Sequence, residues 1–180
     1  MVARPPEAPP TCLFYAHAAK RFTHTLRKHF STIFYAKKSA ARLYAIQALF
    51  QMEVSQSSFK EIADEFECHR IGSQIDGFQY HPADTKMFRD LLRTAVEEQR
   101  KIDMLTSQSL KDSWHLTRID PTLRAIFRAA TAEFILSKTP PKATINEFIN
   151  LAKAFFSEGK EIKLVNGVLN NILILMRKSV

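Results

Sequence analysis

Residues 120–128 read DPTLRAIFR and carry the strongest helix-start signal in the chain. An aspartate can cap a helix with its side chain, and a proline at the first helical position costs no hydrogen bond, because its N–H would be unpaired there anyway. Apolar side chains then recur at helical spacing, which predicts one buried face. The members of that face are Leu123, Ile126, Phe127, Ala130 and Phe134.

Helical patterns also precede this stretch. We expect Ser39 to cap a first helix, which is largely buried because two neighbouring apolar stripes run along it. The stripes contain Leu43, Ile46, Phe50 and Val54 on one side and Ala45, Leu49 and Met52 beside them. Ser58 and Glu61 have the spacing of a capping box for a second helix. Asp84 begins the longest predicted helix, which runs to about Leu110.

After residue 128 the pattern predicts two more helices. Residues 138–141 (KTPP) should end the central helix, Thr144 and Glu147 have the spacing of a second capping box, and a turn at residues 157–160 precedes the last helix. No convincing run of alternating apolar and polar residues occurs. The sequence therefore predicts an all-α fold of about six or seven helices.

Composition predicts one soluble, cytoplasmic domain without a metal or cofactor. A chain of 180 residues with 46% hydrophobic composition can bury one core, and its apolar runs are far shorter than the roughly 20 residues of a membrane span. Cys12 and Cys68 form no CxxC pattern, which fits a reducing compartment. A metal site at Cys68, His69 and His81 is the alternative, but the spacing matches no zinc pattern and a fourth ligand is missing.

No set of residues in the sequence has the pattern of a catalytic site. Four glycines in the whole chain cannot form a phosphate-binding loop or a dinucleotide fingerprint. Carboxylates such as Glu97 and Glu98 stand among basic residues, as on a solvated, charge-paired helix face. We expect Trp114 to pack at a helix junction. The sequence predicts a protein that is not an enzyme.

The placement of the basic residues in the sequence indicates a polyanionic partner. The net charge is +8, but residues 1–38 hold seven basic residues and one acidic residue, so only +2 remains for the rest. Lys37, Lys38 and Arg42 gather at the start of the first helix, where backbone N–H groups and the helix dipole favour phosphate. An ordinary solvated helix start is the alternative interpretation.

Asn166 and Gly167 interrupt the apolar pattern of the last helix. A glycine inside a helix costs about 1 kcal/mol relative to alanine, so its presence calls for a reason. One reason is the close approach of another helix. The other is an asparagine side chain held beside a binding surface.

Residues 1–36 are predicted to be an accessory extension, with the folded domain at residues 37–180. The extension is proline-rich and then basic, with apolar residues at helical spacing. A basic amphipathic helix could lie on RNA, on a membrane or on the rest of the protein, or the segment could be flexible. An organelle transit peptide and a mis-assigned translation start also stay open.

Four segments resemble the NusB family, in family order. Residues 41–51 (ARLYAIQALFQ) are similar to its first helix, and residues 120–128 to its fifth-helix signature. Residues 145–155 (INEFINLAKAF) and 163–169 (KLVNGVL) are similar to its two C-terminal signatures, the last being the most specific. The match spans about residues 37–174.

The resemblance implies an all-helical fold of two packed bundles and a role in transcription antitermination. Its implied partners are the boxA element of ribosomal RNA leader transcripts, NusE and, through NusE, the RNA polymerase antitermination complex. By position it places Lys37, Lys38, Arg42, Phe50, Lys163 and Asn166 on the RNA side. Affinity would then come from basic residues and specificity from an unpaired strand.

Three residues depart from the family pattern. Leu164 stands where phenylalanine is usual, Pro141 replaces a common tyrosine and Leu123 a common glutamate.

NusB-like domains also begin ribosomal RNA methyltransferases, but a chain that ends at Val180 is expected to lack the catalytic domain. A helical interaction module that dimerises without RNA contact is the stronger alternative.

Overall fold

The computed structural model describes residues 37–75, 78–110, 114–156 and 159–178. This part of the chain contains seven α-helices and one two-stranded hairpin, which confirms the all-α prediction. In chain order they are α1 (Lys37–Ser55), α2 (Phe59–His69), β1 (Gln74–Ile75), β2 (Phe78–Gln79), α3 (Thr85–Glu97), α4 (Gln99–Ser109), α5 (Pro121–Leu136), α6 (Pro141–Phe155) and α7 (Gly159–Lys178). The two strands pair antiparallel. The predicted extension at residues 1–36 lies outside the described residues.

Helix α5 is the centre of the fold. Of its 16 residues 11 are buried, because it packs against α1 and α3 and also against α4, α6 and α7. Helices α1, α2 and α3 form one bundle with it, and α4, α6 and α7 form the other. The predicted two-bundle architecture is thus confirmed. Phe127 and Ile126 of α5 are fully buried where it crosses its neighbours.

Three predicted helix starts are confirmed. The Ser58 hydroxyl accepts from the Glu61 backbone N–H, and the Glu61 carboxylate accepts from the Ser58 backbone N–H at 2.9 Å. The hydrogen bond from the Ser58 backbone N–H, and next the one that the Ser58 hydroxyl donates to the same carboxylate, lower the pKa of Glu61. Asp84 accepts from the Met87 N–H at 2.9 Å, and Asp120 caps α5 in the same way. Each of these helix starts is therefore determined by a capping side chain next to it in the sequence.

The predicted cap of the first helix is wrong. Helix α1 already includes Lys37, and Ser39 lies inside it, buried, with its hydroxyl donating to the Glu147 carboxylate of α6 at 2.6 Å. A serine on a helix face that meets another helix can bind a distant acceptor instead of its own backbone. The sequence could not show that acceptor, because it is 108 positions away.

The long helix predicted over residues 84–110 is two helices. Glu98 leaves helical geometry, with φ −98° and ψ 14°, and separates α3 from α4. The break lets α3 pack against α1 and α5 while α4 packs against α7. No glycine or proline stands at residues 96–99, so no local signal marked it.

The second predicted capping box is also wrong, because α6 starts four residues earlier, at Pro141 with Pro140 as its cap. Pro141 occupies the first helical position, where its missing N–H is harmless. Thr144 is therefore already inside the helix and fully buried, and its hydroxyl lies 3.4 Å from the Glu133 carboxylate. Helix α5 ends at Leu136, followed by Ser137 in the left-handed region.

Two apolar side chains expected to pack are half exposed. Trp114 is 48% exposed instead of filling a helix junction, and Val54 near the end of α1 is 47% exposed. Leu123, where the family pattern has a charged residue, is buried in the core. That departure therefore changes core packing and not a contact surface.

Candidate nucleic-acid interface

Lys37 and Lys38 are exposed at the N-terminus of α1, as predicted. The Lys37 carbonyl accepts from the Asp84 N–H at 3.1 Å, which ties the first turn of α1 to the start of α3. Within the described ranges neither lysine forms an ion pair. Two free ammonium groups at a fixed helix N-terminus suit a phosphate group. We call these two residues the α1 start.

Arg42 does not join them on the surface. It is 4% exposed, and its guanidinium donates to both carboxylate oxygens of Glu133, at 2.8 and 2.6 Å, and to Glu147 at 3.3 Å. A guanidinium paired in this bidentate way inside the protein has little left for an RNA phosphate. We therefore drop Arg42 from the candidate interface and assign it a structural role between α1, α5 and α6.

Phe50 is half-buried and packs against the hydrophobic core. It lies 13 residues after Lys37 on the same helix, which corresponds to roughly 20 Å at 1.5 Å per residue. The structure therefore does not bring Phe50 together with the α1 start. Its proposed RNA contact stays a prediction.

The outer surface of α7 carries the other two predicted RNA residues, Lys163 and Asn166, among further exposed residues. Lys160, Lys163, Asn166, Gly167 and Asn170 are all exposed and recur at three- and four-residue spacing, so they share one side of the helix. We call these five residues the α7 face. The opposite side is buried and anchors the helix through Val165, Val168, Leu169 and Ile172.

Gly167 is not a close-packing residue, contrary to the first of the two expectations. A β-carbon added at this position would meet nothing within 4 Å among the described neighbours, and the residue is exposed. The glycine therefore lowers the stability of the helix relative to alanine, and no close packing among the described residues explains its presence. The other expectation, an asparagine side chain held beside a binding surface, stays a prediction.

Most arginines of the described chain are engaged in ion pairs, whereas the lysines of the α7 face are not. Arg124 and Arg128 of α5 both bind Glu53, and Arg128 also binds Asp103 at 2.8 Å. The other paired cations are Arg42, Arg70, Lys86, Arg89 and Lys138. The cations without an ion pair among the described residues are spread over several helices, and Lys60, Arg93 and Lys142 are examples outside the candidate regions. Helix α7 itself has a positive excess, with four basic residues and one acidic residue.

Helix α6 is the element that links the two candidate regions. It packs along α7 and also contacts α1, where its Glu147 binds Ser39 and Arg42. Reasoning from sequence missed Asn170, whose amide donates to the Asn166 carbonyl and side chain. The signal for it was present: a second asparagine four residues after Asn166, on the polar side of an otherwise apolar helix.

Two other kinds of site were considered for the described residues, a metal centre and a membrane span. None of these residues form a group of three or more histidine, cysteine, aspartate or glutamate side chains that could hold a metal ion. Cys68 is exposed and free. Among the described helices, none has the length and apolar content to cross a membrane.

Comparisons with known proteins agree with this fold. The model of the NusB family matches residues 39–173. The transcription antitermination protein NusB of Sinorhizobium fredii is 47% identical over 137 residues, covering 76% of this chain and 85% of that protein. The protein of the same name from Brucella abortus (strain S19) is 44% identical over 142 residues, covering 78% and 82%.

Solved structures support the same assignment. NusB of T. maritima superposes with a TM-score of 0.61 at 31% identity, covering 74% of this chain and 88% of that one. A chain from the crystal structure of the antitermination factors NusB and NusE in complex with dsRNA has a TM-score of 0.58 at 25% identity, covering 76% and 96%. Together with the family match, these relatives show a transcription antitermination family and not an enzyme family. The chain belongs to the NusB family.

Proposed function

We propose that this protein binds the boxA element of ribosomal RNA leader transcripts together with NusE, and so promotes complete transcription of ribosomal RNA operons in the cytoplasm. The observation that carries the proposal is the α7 face, whose exposed lysines lie one and two helical turns before an exposed asparagine and an exposed glycine. A solved relative was crystallised with NusE and RNA, which supports the same class of partners. NusE would in turn connect the complex to RNA polymerase.

Two kinds of interaction would give affinity and sequence preference separately. Lys160 and Lys163 of the α7 face and the α1 start would neutralise phosphates, which gives affinity that falls as salt rises. Exposed polar groups next to the lysines would contact bases of an unpaired strand, which gives sequence preference. The protein contributes a rigid surface, because α7 is held by four buried apolar side chains. The mechanism is assembly of a complex and involves no catalytic step.

The experiment is a binding titration of the full chain with fluorescently labelled boxA RNA and a scrambled RNA of equal length, with and without NusE, at several salt concentrations. We expect preference for boxA and tighter binding when NusE is present. Equal affinity for the two RNAs in the presence of NusE would contradict the proposal.

A pair of charge variants sharpens this test. Lys160→Ala with Lys163→Ala should weaken RNA binding and flatten its salt dependence, by about 0.7 log units per lost single-strand contact. Lys86→Ala with Lys138→Ala is the matched control, since both of these lysines already bind Asp90. The control removes the same net charge, so equal loss in both variants would mean that no particular surface binds RNA.

Self-association through exposed apolar residues is the second candidate function. Val54 and Met104 are 47% and 53% exposed, and each directly follows an acidic residue bound by Arg128. Sedimentation of the chain over a range of concentrations tests it. A dimer that Met104→Lys disrupts would favour this candidate, and a monomer at every concentration would exclude it.

A further inference from the structure

Asn166 and Asn170 are linked into one unit on the α7 face. The Asn170 Nδ2 donates to the Asn166 main-chain oxygen at 2.8 Å and to the Asn166 Oδ1 at 2.9 Å. Both residues are exposed, and they stand one helical turn apart. Two exposed amides that could each rotate freely are therefore held in one relative orientation.

The chemistry of these bonds decides which way each amide points. A main-chain carbonyl can only accept, so the Asn170 atom that faces it must be the amide nitrogen. The same nitrogen needs an acceptor as its second partner, which must be the Asn166 Oδ1. The donor group of Asn166, its Nδ2, and the acceptor of Asn170, its Oδ1, are then left without a partner among the described residues.

Gly167 keeps the helix surface beside this unit open. It follows Asn166 in the chain and stands three residues before Asn170, so it lies next to both amides on the α7 face. Nothing described in the chain occupies the space where its side chain would be. A flat group can therefore approach the helix backbone there and reach the free donor and the free acceptor at its edge.

The surrounding charge fits one class of occupant. Lys163 lies one turn before Gly167 and Lys160 one turn before Lys163, both exposed and without an ion pair in the described ranges. A polyanion with flat, hydrogen-bonding groups matches ammonium groups beside an amide edge and an open backbone. Single-stranded RNA has this chemistry, because its bases carry adjacent donors and acceptors and its phosphates are regularly spaced.

We propose that Asn166, Gly167 and Asn170 form a reading site for one unpaired RNA base, with Asn170 as the positioning residue that fixes the Asn166 amide. The inference rests on the proposed RNA-binding function and deepens it by naming a specificity-determining unit. Asn166 Nδ2 donates to the base edge, and Gly167 gives the base room to reach it. Lys160 and Lys163 hold the flanking phosphates and contribute affinity without sequence preference.

The test uses the full chain with NusE and a set of boxA RNAs in which one nucleotide at a time is replaced. Asn166→Asp exchanges the free donor for an acceptor, and Asn170→Asp removes the donor that orients Asn166. We expect both variants to lose about tenfold in discrimination at one and the same nucleotide position. Preference at the other positions should be unchanged.

Asn146→Asp is the matched control. It adds the same negative charge at an exposed asparagine of the neighbouring helix α6, outside the α7 face. We expect this control to weaken all RNAs by one common factor and to keep the discrimination of the unchanged protein. Thermal melting of the three variants should agree closely, since all three positions are exposed.

The outcomes distinguish failure of the proposed RNA-binding function from failure of the reading site alone. If the unchanged protein with NusE does not distinguish boxA from scrambled RNA, the proposed function and this inference both fail. If it does, but Asn166→Asp and Asn170→Asp lower affinity uniformly as the control does, the reading site alone is refuted. Loss of discrimination at two different positions would refute the role of Asn170 as a positioning residue.

Discussion

The buried pair of Arg42 and Glu133 gives the sharpest stability prediction. Both side chains are almost fully enclosed, with 5% and 2% of their surface exposed, and two hydrogen bonds join them. In Glu133→Ala the guanidinium stays inside the protein and retains only Glu147, which is 3.3 Å away and partly exposed. The variant therefore leaves a buried cation with a weak counterion.

The expected cost follows from that geometry. Removing one member of a buried ion pair costs about 3–5 kcal/mol, and the remaining contact with Glu147 places this variant near the lower value. In a protein of this size each kcal/mol lowers the melting temperature by about 2–4 °C. Glu133→Ala should thus unfold roughly 6–12 °C below the unchanged protein.

Reversible unfolding in urea, followed by circular dichroism, measures the free energy of unfolding. A double variant tests whether the unpaired buried charge causes the loss of stability. Arg42→Met with Glu133→Leu buries apolar groups of similar size, so it should be clearly more stable than either single variant. Glu67→Gln, in the exposed pair with Arg89, is the control and should leave the melting temperature almost unchanged. Additive losses in the double variant would refute the reasoning.

Four further results are expected. Lys37→Ala with Lys38→Ala should flatten the salt dependence of RNA binding without changing helical content, and an unchanged slope would remove the α1 start from the interface. Gly167→Ala should raise the free energy of unfolding by about 1 kcal/mol, since the position is open, while weakening RNA binding; a loss of stability would restore the close-packing interpretation. The hydrogen bond from Lys138 lowers the pKa of Asp90 from its usual value, so the stability that this bond adds is present at neutral pH and is lost as pH falls through the lowered pKa. NMR titration should find a higher Asp90 pKa in Lys138→Ala. A chain that begins at Lys37 should melt at nearly the same temperature and keep its preference for boxA, and unfolding of that chain would place residues 1–36 in the folded domain.

Helix existence and helix starts were predictable where one short stretch carries the whole signal. Asp84, Asp120 and the pair Ser58 and Glu61 satisfy their own backbone within three residues, so the sequence contains both partners. The break at Glu98 was not predictable, because the packing of α3 and α4 in different bundles causes it and no local residue does. Ser39 escaped prediction for the same reason, since its partner belongs to another helix.

The candidate interface was predictable in part. The family resemblance pointed to Lys163 and Asn166, and the apolar periodicity of α7 explains why they are exposed, because the buried residues lie on the opposite side of the helix. The basic cluster at residues 37–42 was split by the fold: two members are exposed, and Arg42 is buried by carboxylates 91 and 105 positions away. Charge clustering in a sequence cannot distinguish a phosphate ligand from half of a buried ion pair.

The most direct measurement is NMR mapping of the labelled protein during titration with boxA RNA in the presence of NusE. The account predicts that RNA addition shifts the resonances of the α1 start and the α7 face most strongly, with the side-chain amides of Asn166 and Asn170 among them. The NusE-bound protein without RNA is the reference, so that contacts with NusE do not count. Strong RNA-dependent shifts confined to α2 or to the region around Trp114, with an unaffected α7 face, would contradict it.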